Sequence, residues 1–103
     1  MTKTINNSTA LKLIKDTENL LIIDVRRFMD FKESKIENAV NLPVEDIEYD
    51  CEDYSEYKEK PVLVYCKVGN KSTTACQILE EAGFTNLYNL RGGILAFEGN
   101  IVK

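Results

Sequence analysis

Two runs of four apolar residues, Leu20-Leu21-Ile22-Ile23 and Val62-Leu63-Val64-Tyr65, most constrain what this chain can fold into. Neither alternates between apolar and polar residues, so neither reads as a strand with one wet face. Short continuous runs of this kind belong to strands covered on both sides, as in a parallel sheet. Ala39-Val40-Asn41-Leu42, closed by Pro43, and Leu87-Tyr88-Asn89-Leu90 supply further strands. Between them lie helical patterns. Ser8 or Thr9 is expected to cap a helix carrying Leu11 and Ile14, which Asp16 to Asn19 ends. Residues 27–34 read as helical. Residues 72–82 place Ala75, Ile78, Leu79 and Ala82 on one face, with Gly83 as the C′ residue. A final helix is expected from Ile94. The charged stretch Glu45 to Lys60 reads as one or two surface turns plus a connection. Strands alternating with helices predict an α/β fold, a mainly parallel sheet of about five short strands with helices on both faces.

That topology gathers the strand ends on one edge. Asp24 and Arg26 follow the first apolar run, Cys66 the second, and Arg91 the last. Open parallel sheets bind their ligands at this edge. The segment Cys66-Lys67-Val68-Gly69-Asn70-Lys71-Ser72 then predicts a sulfur at a strand end, a short Gly-containing loop, and a helix N-terminus aimed back at that sulfur. Amides and helix ends of this kind stabilise a thiolate and hold anions. Cys66 therefore reads as a nucleophile, and an inert core cysteine is the alternative.

Composition narrows the chemistry. The chain has 103 residues, 44% of them hydrophobic, enough for one compact domain over 1–103. A net charge of -4 argues against nucleic acid or an anionic membrane surface as partner. No run is long enough to span a membrane, and no signal-peptide pattern opens the chain. Three cysteines, Cys51, Cys66 and Cys76, without C-x-x-C spacing and without any histidine, argue against a zinc site and a secreted disulfide framework. A reducing, cytoplasmic setting and a monomer are the simplest expectations. Without histidine, Cys-His and Ser-His catalysis are excluded, so charge and dipoles must activate Cys66. Lowering a thiol from about 8.5 to about 6.5 takes roughly 2.7 kcal/mol of preference for the anion. A helix N-terminus supplies about 0.3–2 kcal/mol of this and charge-assisted hydrogen bonds about 1.5–3 kcal/mol each. Lys67 and Lys71 are placed to add positive potential.

The order of these elements resembles the rhodanese family, and specifically its single-domain members. Leu21-Ile22-Ile23-Asp24-Val25-Arg26 is similar to the family's strand ending in D-V-R. Asp30-Phe31, Ile36, Ala39, Asn41 and Pro43 follow its E-[FY]-x-x-G-H-I-x-G-A-x-N-[IL]-P pattern. Cys66 to Ser72 resembles its loop C-x-x-G-x-[RK]-S. Gly83-Phe84 and Leu90-Arg91-Gly92-Gly93-Ile94 resemble its closing elements. The resemblance runs over residues 8–98. Departures are Ser34-Lys35 for Gly-His, Asn38 for a glycine, Lys71 for the commoner arginine, and Phe97 for a tryptophan. Asn38 is expected to keep the left-handed turn, and Lys71 keeps the charge without the planar fork.

The resemblance implies a sulfurtransferase. Cys66 would take a sulfane sulfur from a small anionic donor such as thiosulfate, hold it as a persulfide, and yield it to cyanide or a thiol. Residues Lys67, Val68, Gly69, Asn70, Lys71 and Ser72 would form the binding loop, with Asp24, Arg26 and Arg91 in support and neither cofactor nor metal. A persulfide carrier serving a dedicated protein partner is the alternative. A cysteine-dependent phosphatase ranks third, because its C-x5-R loop would need a cation after five intervening residues, and that position is Ser72. Asp24 is expected to accept loop amides and Arg26 to form an ion pair between loops. Arg91 either lines the pocket or belongs to a tight turn. Cys76 reads as core. Cys51 reads as a surface thiol whose acidic neighbours raise its pKa, with a secondary chance of accepting sulfur.

Overall fold

A computed structural model describes residues 1–103. Five strands form one parallel sheet: β1 (Thr2–Ile5), β2 (Leu21–Asp24), β4 (Ala39–Asn41), β5 (Val62–Tyr65) and β6 (Leu87–Leu90), in the order β1-β6-β5-β2-β4. The two apolar runs are the central neighbours, β2 and β5, with Ile22 opposite Leu63 and Asp24 opposite Tyr65. Every residue of both strands is buried. Alternation along them divides the core in two. Leu21, Ile23, Val62 and Val64 pack with Ala75, Cys76 and Leu79 on one face. Ile22, Leu63 and Tyr65 pack with Ala10, Ile36 and Phe97 on the other.

Helix α1 (Asn7–Asp16) covers the second face and α4 (Asn70–Glu81) the first. A short helix α2 (Phe28–Glu33) follows β2, and β3 (Lys35–Ile36) pairs antiparallel with β7 (Ile101–Val102). Helix α3 (Ile47–Asp50) continues into 3₁₀ turns over Cys51–Tyr57. No helix is long and apolar enough to cross a membrane.

Three sequence expectations need correction, and one strand is additional to them. The cap of α1 is Asn6, whose Oδ1 accepts the Thr9 amide at 2.8 Å, so the helix begins ahead of Ser8 and Thr9. The segment after Ile94 is one 3₁₀ turn, Ile94–Ala96, and not a helix. β1, the fifth strand, was not placed from sequence, because Thr2-Lys3-Thr4 is an edge with only Ile5 buried. Cys51 is not at the surface. It is fully buried in the same core as Ile47, with Sγ 3.5 Å from the Glu48 carbonyl oxygen, which removes it as a sulfur acceptor. The expected left-handed turn at Asn38 is present, with φ of 72°.

One polar network ties the strand ends. The Asp24 carboxylate, with no exposure, accepts the Arg26 amide at 2.9 Å, the Arg26 guanidinium at 2.7 Å and the Tyr65 hydroxyl at 2.7 Å. The same guanidinium donates to the Ser34 carbonyl at 2.6 Å, and the Tyr65 hydroxyl accepts the Ile36 amide at 3.1 Å. β2, β5, α2 and β3 thus share one buried charge. Removing the hydroxyl in Tyr65→Phe leaves a buried amide unpaired and takes a donor from the carboxylate. We expect a loss of about 1–3 kcal/mol in urea unfolding; an unchanged free energy would show that the hydroxyl carries no part of the network.

Candidate active site

The loop from Cys66 to Ser72 owes its shape to two backbone devices. Gly69, with φ of 112°, is the N-cap of α4, so the helix starts two residues before the expected Ser72. The amides of the first turn, which have no intrahelical partner, therefore face the loop. The turn Gly92-Gly93 supplies the second device. Behind it, the Ile94 amide donates to the Cys66 carbonyl at 2.9 Å and the Leu95 amide to the Lys67 carbonyl at 3.2 Å. A Cβ on Gly93, whose φ is 61°, would collide with both of those carbonyl groups. Only glycine allows this approach.

Cys66 ends β5 with 2% of its surface exposed. Its Sγ accepts the Gly69 amide at 3.0 Å and the Ser72 amide at 3.3 Å, and lies 3.4 Å from the Ser72 hydroxyl. Burial alone would push this thiol up. The Ser72 hydroxyl and the amides of Ser72, Gly69 and Val68 outweigh burial and bring it below the ordinary thiol value. The other two cysteines go the opposite way. Burial, with Glu80 nearby, pushes Cys76 up to about 12. Burial, and then Glu52, raises Cys51.

The sulfur lies at the base of a cleft of about 740 Å³. Lys67, Val68, Asn70 and Lys71 line one side, while Arg26, Arg27, Asp30 and Glu33 line the other. Ile94, Leu95 and Ile101 complete the wall. Gly69 and Ser72 sit behind the sulfur, where their amides reach it. Asp24 lies beneath the cleft; the ion pair expected of Arg26 is made with Asp24 itself, and the loop amide that Asp24 accepts is that of Arg26. Arg91 is not part of the cleft. Its side chain is exposed and its amide donates to Ile5, so it belongs to the tight turn before Gly92.

Three contributors were not singled out from sequence: the α2 residues of the far wall, the Tyr65 hydroxyl, and Asn89. Asn89 had a visible signal, being the polar residue inside the run Leu87-Tyr88-Asn89-Leu90. It is 5% exposed and its Oδ1 accepts the Ser72 hydroxyl at 2.6 Å.

The model of the rhodanese-like domain matches residues 7–100. The chain belongs to the rhodanese-like family. Its relatives include a sulfurtransferase from Allochromatium vinosum, 31% identical over 94% of this chain and 89% of that one. The thiosulfate sulfurtransferase GlpE of Coxiella burnetii is 40% identical over 90% of this chain and 84% of its own. In fold, a rhodanese-related protein from Thermoplasma volcanium superposes with a TM-score of 0.83 over 97% of both chains at 24% identity. The rhodanese-like domain of the Anabaena Alr3790 protein gives 0.87 over 99% of this chain and 80% of its own, at 23% identity. The α/β fold expected from the strand pattern, and its rhodanese-like form implied by the resemblance, are therefore the fold observed, and the family is one of sulfurtransferases.

The electrostatics separate the three thiols in solution. Because Cys66 is lowered, its thiolate forms at a pH below the ordinary value of about 8.5. We expect iodoacetamide, followed site by site by mass spectrometry, to label Cys66 with a midpoint below that value and to spare Cys51 and Cys76 until the protein unfolds. Ser72→Ala removes the hydroxyl donor and is expected to raise the Cys66 midpoint. A wild-type midpoint at or above 8.5 would contradict this electrostatic account.

Proposed function

We propose that this rhodanese-like protein moves a sulfane sulfur from a donor such as thiosulfate to cyanide or a thiol, with Cys66 as nucleophile and carrier. The observation that carries the reading is the set of N–H and O–H donors around a buried Sγ at the base of a cleft holding four cations. The Cys66 thiolate attacks the outer sulfur of thiosulfate. The S–S bond of the donor breaks, sulfite leaves with the electron pair, and a persulfide anion remains on the enzyme. Cyanide then attacks the terminal sulfur, thiocyanate departs, and the thiolate is restored. Each step conserves charge and needs no external oxidant or reductant. This is a two-stage covalent mechanism with ping-pong kinetics.

The roles follow from position. Gly69 and Ser72 donate to Sγ, while the amides of Val68, Asn70 and Lys71 are the neighbouring donors for the terminal sulfur. Lys67 and Lys71, both exposed at the mouth, draw in the anionic donor. Asp24 and Arg26 hold the floor and the α2 wall in place. Three free cysteines suit a reducing, cytoplasmic setting.

One observation favours the second reading, a carrier that hands sulfur to a protein partner. Val68, Leu95 and Ile101, which line the cleft, are 49%, 67% and 43% exposed. Clefts of roughly 300–1,000 Å³ accommodate ligands far larger than a small oxyanion, and a partner's surface would cover these apolar side chains. A thiosulfate:cyanide rate well below the rate of transfer to a protein thiol would select this reading.

Two measurements test the site. Incubated with thiosulfate without reductant and weighed intact, the wild-type protein is expected to gain one sulfur atom and Cys66→Ser none. No adduct, or equal adducts on both, overturns sulfur transfer at Cys66. In steady-state assays, Lys71→Ala is expected to raise the thiosulfate KM about two- to fivefold, the range of one exposed charge contact. An unchanged KM would remove Lys71 from donor binding.

A further inference from the structure

The hydrogen-bond inventory around Ser72 assigns a role to Asn89, a residue of β6 outside the cysteine loop. The orientation of the Asn89 amide follows from its neighbours. The Thr73 hydroxyl donates to the Gly69 carbonyl at 2.9 Å, so the Thr73 oxygen is free to accept the Asn89 Nδ2 group at 3.1 Å. That leaves Asn89 Oδ1 facing Ser72 Oγ at 2.6 Å, a separation suited to O–H···O and short for N–H···O.

Ser72 has one hydroxyl proton and three acceptors within reach: Asn89 Oδ1 at 2.6 Å, the Gly69 carbonyl at 3.2 Å and Cys66 Sγ at 3.4 Å. While Sγ is a thiol, it donates to Ser72 Oγ, and Ser72 donates onward to Asn89. Once Sγ is anionic, it has no proton to give. Lone pairs then oppose one another across 3.4 Å unless the Ser72 hydroxyl turns toward the sulfur. An anionic acceptor is the stronger one, so the proton turns, and the buried Oδ1 loses its partner.

We propose that Asn89 is a positioning residue that holds the Ser72 hydroxyl proton away from Cys66 Sγ while that sulfur is neutral and yields it when the sulfur becomes anionic. Sγ is neutral in the thiol and in the persulfide, where the charge sits on the terminal sulfur. It is anionic before attack on the donor and again as the leaving group of the second stage. The hydroxyl therefore swings twice per turnover, a cycle that rests on the reading of Cys66 as sulfur carrier. Asn89 favours the two neutral-Sγ states and restrains the thiolate.

The test is the pH dependence of Cys66 alkylation by iodoacetamide in four proteins: wild type, Asn89→Leu, Ser72→Ala and the double variant. Asn89→Leu removes the competing acceptor, and its midpoint is expected to fall by about half a unit to one unit. Ser72→Ala is expected to raise the midpoint, and adding Asn89→Leu to it to change nothing further. A merely structural loss would loosen the amides around Sγ and raise the midpoint instead. The other ionisable groups facing the sulfur are Lys67 and Lys71 from the loop, Arg26, Arg27, Asp30 and Glu33 from the opposite wall, and Cys76 from α4; all are unchanged in the variants.

A midpoint for Asn89→Leu at or above wild type overturns the proposal, as does an equal shift with and without Ser72. Asn89→Asp, close in shape, covers the case in which the leucine variant does not fold. Its carboxylate binds the Ser72 proton more tightly, so the midpoint should rise, and rise less in the Ser72→Ala background. An equal rise in both backgrounds overturns the proposal. Alkylation reads the thiolate whether or not sulfur is transferred, so its failure is distinct from a missing persulfide.

Discussion

A carboxylate taken wholly out of water at the end of β2 makes the surrounding geometry obligatory. An isolated buried anion of this kind is unstable by several kcal/mol unless donors surround it. Asp24 finds its donors in its own turn, in the guanidinium of Arg26 and in the hydroxyl of Tyr65. Each donor also fixes something else. Arg26 reaches the end of α2 through the Ser34 carbonyl, and Tyr65 reaches β3 through the Ile36 amide. Tyr65 is also the residue before Cys66. The far wall of the cleft and the strand that presents the sulfur are therefore set against each other by the solvation needs of one charge.

The sulfur follows the same logic at smaller scale. Its surroundings are apolar on the α4 face, where Ala75 and Cys76 belong to the same core cluster, and polar only along the loop. Three backbone amides and one hydroxyl decide the sign of the pKa shift against burial. The lysines, placed by the sequence to add positive potential, stand exposed at the mouth, where charge steers a ligand more than it stabilises a buried atom. The expected helix N-terminus acts through its first amides, Gly69 and Ser72, which lie within hydrogen-bond distance of the sulfur.

The strand ends and the cysteine loop were legible because their signals are local. A four-residue apolar run followed by Asp24 or Cys66 is readable without knowing its neighbours, whereas the left-handed turn at Asn38 was legible only through the resemblance, which has glycine there. What escaped depends on distant partners. β1 is recognisable only once β6 offers it an edge, since Thr2-Lys3-Thr4 looks like any exposed segment. Cys51 lies among acidic residues in sequence, yet the turn after α3 rotates it inward beside Ile47. Asn89 was visibly out of character in its strand, but nothing nearby in the chain says that a hydroxyl from α4 awaits it. Arg91 shows the converse. Its place after a strand suggested the pocket, and the turn it begins directs it outward.

The clamp behind the loop has a consequence for the order in which the chain becomes competent. The carbonyls of Cys66 and Lys67 find their partners in the amides of Ile94 and Leu95, and Gly93 must already be packed against them. A ribosome delivers those residues well after the cysteine. The emerging thiol thus precedes the backbone that locks its loop, and the nascent chain carries an unfinished site until Gly93 to Leu95 have been made. Chain direction itself therefore places the locking of this loop after the sulfur has been made.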